Sequence, residues 1–194
     1  MRFNSTMLLR KQTASRNRAA ILALAAAAVI VAFVATRAEA HQAPALDDAG
    51  VAAIFDLANT ADIETGTLGE QRGTTKEIRD YGMMLRTVHV EVRQKGRDLA
   101  KKLGVKPSMP EGSTMAKDHA AAVARLKSLN GVEFDRAFLQ HEQAFHAAVL
   151  AAVKTTLLPA IQNKELKDFV TSLGPAFEAH RLAAESLEKK LASR

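Results

Sequence analysis

Apolar residues recur along this chain at spacings of three and four, which is the spacing of one face of an α-helix. The strongest stretch covers residues 134–153 and reads FDRAFLQHEQAFHAAVLAAV. On a helical wheel its apolar face includes Glu142, with Asp135 and His146 at the edge. Because a carboxylate inside an apolar face needs a buried partner, this pattern predicts a helix that carries polar chemistry into the core.

The same periodicity predicts four more helices. They cover residues 47–71, 74–103, 113–129 and 163–191. Thr74 is expected to be the N-cap of the second helix, in a capping box with Glu77. Gly174-Pro175 is expected to kink the last helix. Three of the apolar stripes contain one polar residue near the centre, namely Asp62, His89 and His180.

Four long helices with apolar stripes predict an antiparallel bundle over residues 49–192, preceded by a linker over residues 41–48. The helix at 113–129 rises ~25 Å, about the length of the bundle, so it can act as a crossover. A crossover makes the second and fourth helices parallel, whereas a plain up-down order is the alternative. The predicted fold class is therefore an all-α, ferritin-like four-helix bundle with a short extra crossover helix.

Residues 1–40 have the features of a secretory signal peptide. Basic residues precede an apolar run at 19–35, and Ala38-Glu39-Ala40 supplies a small-x-small cleavage pattern before His41. This pattern predicts export to the periplasm and a mature chain that begins at His41. The alternative is an inner-membrane anchor at 19–35, although that run is a little short for a span of ~20 residues. No membrane span is predicted in the mature domain.

Charge and composition narrow the function classes. The net charge is +6, but residues 1–40 hold six of the 27 basic residues and one of the 21 acidic ones, so the remainder carries +1. The chain has one Tyr and no Trp, which disfavours base stacking and a nucleic-acid partner. It has no Cys, so disulfides and thiolate metal sites are excluded.

Several segments resemble a known bacterial family, domain-of-unknown-function family 4142 (DUF4142). The most specific is Phe134-Asp135-Arg136-Ala137-Phe138 followed by His146, and a second is Pro175 followed by His180 and residues 183–187. His89 and His119 are similar to histidines of the family's second and third helices. The resemblance covers roughly residues 50–190. It implies an exported ferritin-like protein and assigns no activity.

The chain departs from the family pattern at three positions. Asp62 stands where the family usually has Glu, Val88 where an Asp often precedes the histidine, and Phe138 where Tyr is usual. The resemblance therefore implies the fold more strongly than it implies a set of ligands.

Five polar residues form the candidate site. They project from four helices at similar depth, within ~10 Å along the bundle, and they are Asp62, His89, Glu142, His146 and His180. This set predicts a single divalent transition metal, either Zn, Fe, Mn or Cu. The alternative is a metal-free hydrogen-bond network that fixes helix register. We expect the His180 ring to lie within bonding or shared-metal distance of His89, Glu142 or Asp62.

The ferritin-like di-iron motif Glu-x-x-His is absent, because Arg86, Gln143 and Phe177 stand three residues before the histidines. Two other histidines are expected to lie outside the site, His119 on the crossover and His141 at the helix rim. No nucleotide loop, nucleophile elbow or zinc-protease motif is present, so an enzyme is disfavoured. Two functions remain: an exported metal-binding bundle, or a structural module of the cell envelope that interacts with a protein partner.

Overall fold

The computed structural model describes residues 46–193, so the predicted signal peptide and most of the linker lie outside the described residues. The elements are α1 (Asp48–Arg72), α2 (Lys76–Lys102), α3 (Met115–Ser128), α4 (Gly131–Ala152), a π-helical turn (Val153–Leu157), α5 (Leu158–Ala160), α6 (Lys164–Ser172) and α7 (Gly174–Ala192). Residues 46–193 contain no strand, which confirms the all-α prediction. Within the same range, no helix combines the length and apolarity that a membrane crossing requires.

The direction of α3 and α4 follows from their contacts with α1. The crossover α3 runs alongside α1 in the same direction, since His119 contacts Glu64 and Leu126 contacts Arg72 further on. Helix α4 then runs back, because Phe138 packs on Gly69 and His146 faces Asp62. Helices α2 and α4 are therefore parallel. This arrangement agrees with the predicted crossover and not with the up-down order.

Helix α7 completes the bundle and runs antiparallel to α2. The Tyr81 hydroxyl donates to the His180 carbonyl oxygen at 3.1 Å, and Leu187 packs against the cluster that contains Ile78. The single kinked helix predicted for residues 163–191 is instead two helices, separated at Leu173. Pro175 is the cause, because a proline lacks the N–H of a continuous helix but fits the first turn of a new one.

Helices α1 and α2 touch backbone to backbone. A Cβ atom on Gly82 would lie 2.3 Å from the Glu70 backbone nitrogen, and one on Gly66 would lie 2.8 Å from that of Arg86. Beside this contact, the Arg86 guanidinium binds the Glu70 carboxylate with nitrogen–oxygen distances of 2.6 and 3.3 Å. The glycines thus allow the close approach that brings the polar side chains of α1 and α2 together.

The core consists of two apolar clusters with a polar layer between them. One cluster includes Tyr81, Leu85 and Phe138, and the other includes Phe55 and Phe177. Along each of the four long helices, the chain passes from one cluster through the polar layer to the other. The buried members of this polar layer are Asn59, Asp62, Thr65, His89, Glu142, His146 and His180.

The start of α2 differs from the prediction. Thr75, not Thr74, is the N-cap, and its hydroxyl accepts from the Ile78 backbone N–H at 3.3 Å. Thr74 instead donates its backbone N–H to the Asp135 carboxylate at 3.1 Å and its hydroxyl to the same carboxylate. Asp135 was expected at the edge of the apolar face of α4. It is instead fully buried, where its carboxylate accepts hydrogen bonds from the loop between α1 and α2.

We expect Asp135→Ala to lower the free energy of unfolding by about 1–3 kcal/mol, since it removes a buried carboxylate that accepts from both the backbone N–H and the hydroxyl of Thr74. Asp80→Ala is the matched control, because Asp80 forms only an exposed pair with Lys76 and such pairs contribute about 0.3–0.5 kcal/mol. Urea denaturation of both variants measures the difference. Equal losses would show that Asp135 does not hold this loop.

Candidate metal centre

The structure brings all five predicted site residues into the polar layer. Asp62 comes from α1, His89 from α2, Glu142 and His146 from α4, and His180 from α7. His180 is the most exposed of them, at 7%. The sequence placed His146 at the edge of the apolar face of its helix, but it is 1% exposed because α4 is covered by both α1 and α7. Each of the four long helices thus contributes at least one potential metal ligand.

Hydrogen bonds fix the tautomers of two histidines. His89 Nδ1 lies 2.9 Å from Asn59 Oδ1, and His146 Nδ1 lies 2.9 Å from the Glu142 carbonyl oxygen. Neither oxygen carries a proton, so each histidine donates from Nδ1. A neutral imidazole has only one N–H, and therefore both Nε2 atoms present lone pairs.

The layer contains more hydrogen-bond acceptors than hydrogen-bond donors. Among residues 46–193, four buried atoms have no hydrogen-bond partner: Asp62 Oδ1, both carboxylate oxygens of Glu142, and His146 Nε2. Unpaired buried polar atoms are rare in folded proteins and costly, at about 1–3 kcal/mol each. The Thr65 hydroxyl donates to the Ala61 carbonyl oxygen at 3.1 Å, and it also lies close enough to the Glu142 carboxylate to act against the rise in the pKa of that group.

The potential metal ligands form two groups of three, each spaced for a cation, and His146 belongs to both. His89 Nε2 lies 3.4 Å from His180 Nδ1, and His146 Nε2 lies 3.8 Å from Asp62 Oδ1. The first distance is long for a hydrogen bond, but two nitrogens on one tetrahedral zinc lie about 3.3 Å apart. Donor atoms of His89, His146 and His180 all lie within 4.8 Å of one another, as do those of Asp62, Glu142 and His146.

Burial sets the charge state of the layer. Loss of solvation lowers the pKa of His89 to about 2 and that of His146 to about 4, and positive charge on neighbouring histidines acts in the same direction. Burial also lowers the pKa of His180. The histidines are therefore neutral at neutral pH, which is the form that binds metals. Burial raises the pKa of both Asp62 and Glu142, and the Glu142 charge raises that of Asp62 further.

Three further residues support the site, and sequence reasoning did not identify them. Asn59 accepts from His89, and Phe177 stacks on the His89 ring with centroids 5.6 Å apart. Tyr81 holds the His180 backbone. Asn59 had a detectable signal, since it precedes Asp62 by three residues and so shares its helix face. No local pattern singled out Phe177 or Tyr81, which resemble ordinary core residues.

The two histidines expected outside the site are outside it. His119 Nε2 lies 2.7 Å from Glu64 Oε2 on the outer side of α1. His141 stacks on Phe145 with centroids 5.8 Å apart. Neither belongs to the groups of donors that converge in the polar layer.

The fold and the polar layer together define an all-α bundle protein with a buried histidine–carboxylate centre. The family model described as "Domain of unknown function (DUF4142)" matches residues 34–187, and the chain belongs to this family. No curated protein and no solved structure matches the chain. The family description names no activity, so function has to be argued from the polar layer itself.

We expect His119→Ala to leave the polar layer intact, because its Glu64 partner is on the surface of α1. Such a pair contributes about 0–1 kcal/mol to the free energy of unfolding. Histidine NMR signals of the variant should match those of the wild type at His89, His146 and His180. Movement of those signals would mean that the crossover helix is coupled to the layer.

Proposed function

We propose that this protein is an exported metal-binding bundle that holds one divalent transition ion in its polar layer. His89, His146 and His180 supply the nitrogen ligands, and Asp62 and Glu142 supply carboxylate oxygens. Zinc, iron, manganese and copper are the candidate ions, because imidazole and carboxylate donors suit all four.

The excess of acceptors is the observation that carries the proposal. Asp62 Oδ1 and His146 Nε2 are both fully buried, both lack a proton donor, and lie 3.8 Å apart. A proton shared between the Asp62 and Glu142 carboxyl groups satisfies only part of the excess, since it leaves one Glu142 oxygen and His146 Nε2 without partners. A cation satisfies several lone pairs at once, which a hydrogen-bond network of these residues does not.

Charge balance supports a divalent ion. Three neutral imidazoles contribute no charge, while Asp62 and Glu142 contribute two negative charges when ionised. A single 2+ ion therefore makes a neutral group, which is the state that a buried site of this kind tolerates best. Removing such an ion would leave two carboxylates close together in an apolar setting.

The burial of the donors favours a closed binding site over catalysis. None of the five donor residues is more than 7% exposed. A cavity of about 300 Å³ lies elsewhere, along α1, α2 and α6, where Phe55, Arg97 and Phe169 help to line it, and no donor residue does. Structural metal sites are closed, whereas catalytic sites keep a position open to substrate. The proposed ion ties helices together and does not need a substrate.

The alternative function is a structural or interaction module of the cell envelope with a metal-free layer. The bonds His89–Asn59 and Tyr81–His180 favour it, because they form without any ion. Export rests on the sequence pattern of residues 1–40. An intact mass beginning at His41 for the periplasmic protein would support it, and a membrane-bound form that retains residues 1–40 would contradict it.

We expect saturating Zn²⁺ to stabilise the metal-free protein, because an ion that binds only the folded state adds about 2.7 kcal/mol at a hundredfold excess over Kd. His180→Leu should lose most of that gain, since it removes one nitrogen ligand and fits the apolar seam around it. Thermal melts with chelator, Zn²⁺ and Mn²⁺ measure both effects.

His119→Ala is the matched control for these melts, because it removes a histidine outside the polar layer. It should keep the full gain in stability. A wild-type protein whose melting temperature is unchanged by any of the candidate ions would contradict the proposed function and favour the metal-free module.

A further inference from the structure

The side chain of Asn59 is fully buried against His89, and it makes two hydrogen bonds with opposite roles. Its Nδ2 donates to the Phe55 carbonyl oxygen at 2.8 Å. That bond fixes the orientation of the amide group, so Oδ1 faces His89 Nδ1 at 2.9 Å. The orientation follows from the Phe55 bond, since a carbonyl oxygen accepts and only the amide nitrogen can donate.

Asp62 competes with Asn59 for the same histidine proton. Asp62 Oδ2 lies 3.4 Å from His89 Nδ1, whereas Asn59 Oδ1 lies 2.9 Å from it. The shorter contact gives the proton to Asn59. The other carboxylate oxygen, Asp62 Oδ1, has no partner and faces His146 Nε2 at 3.8 Å.

We propose that Asn59 is the positioning residue of the metal centre, an assignment that rests on the proposed function. By accepting the Nδ1 proton of His89, it directs the Nε2 lone pair toward His180. The Asp62 carboxylate then needs no proton from His89 and can bind the ion. A neutral amide does this without adding a third carboxylate to the layer. Residues that orient metal-bound histidines through the second ring nitrogen typically change affinity 10–100-fold when removed.

Three variants on α1 test this assignment. Asn59→Leu removes the acceptor at similar volume, and Asn59→Asp restores an acceptor oxygen while losing the bond to Phe55. Thr67→Val is the control, because Thr67 donates to the Ile63 carbonyl oxygen at 2.6 Å on the same helix, outside the polar layer. All three also report whether loss of a side-chain bond on α1 is enough to disturb the fold.

The first readout is the His89 Nδ1 proton signal in ¹⁵N-correlated NMR spectra of the metal-free protein. The wild type should carry the proton on Nδ1 and a lone pair on Nε2. The signal should shift or vanish in Asn59→Leu, and remain in Asn59→Asp and Thr67→Val. A wild-type His89 with its proton on Nε2 would overturn the proposal even if no variant folds.

The second readout is the Kd for Zn²⁺, which should rise 10–100-fold in Asn59→Leu and stay within a few-fold in Thr67→Val. An unchanged Kd together with an unchanged His89 signal in Asn59→Leu would overturn the role of Asn59. A wild type that binds no zinc would instead overturn the proposed function, and the NMR signal alone would then decide whether Asn59 positions His89.

Discussion

Three imidazoles and two carboxylates are packed into one layer in the middle of the bundle, between two apolar clusters. The Nδ1 protons of His89 and His146 are already donated, to Asn59 and to the Glu142 backbone. What remains is a group of buried acceptor atoms on Asp62, Glu142 and His146 that need a shared proton or a cation between them. Burying such a group is costly unless a positive charge lies among them. The helices around the layer therefore depend on how this excess of acceptors is satisfied.

The layer also links the two halves of the bundle. Helices α1 and α2 form one hairpin, held by the glycine contact at Gly66 and Gly82, while α4 and α7 pack against each other as a second pair. Asp62 and His89 come from the first pair, and the other donors come from the second. An ion bound by both pairs joins them directly, so binding energy becomes folding energy.

Periodicity alone predicted the helices, the crossover and the five residues of the candidate centre, because burial faces repeat regularly in the sequence. It failed where a residue's partner is on another helix. Thr74 was expected to cap its own helix but bonds Asp135 on α4, and Asn59 shares a helix face with Asp62 while its partner His89 lies on α2. The break at Leu173 was expected only as a kink, since a Gly-Pro pair does not reveal whether the chain bends or restarts. These three features depend on tertiary contacts, and local sequence patterns carry no information about such contacts.

The most direct test is a crystal structure of the tag-free mature protein grown with Zn²⁺, using anomalous diffraction at the zinc edge. The account predicts one anomalous peak in the polar layer, about 2.0–2.1 Å from nitrogens of His89, His146 and His180. An ordered polar layer with no anomalous peak, or zinc found only on the surface of the protein, would contradict it.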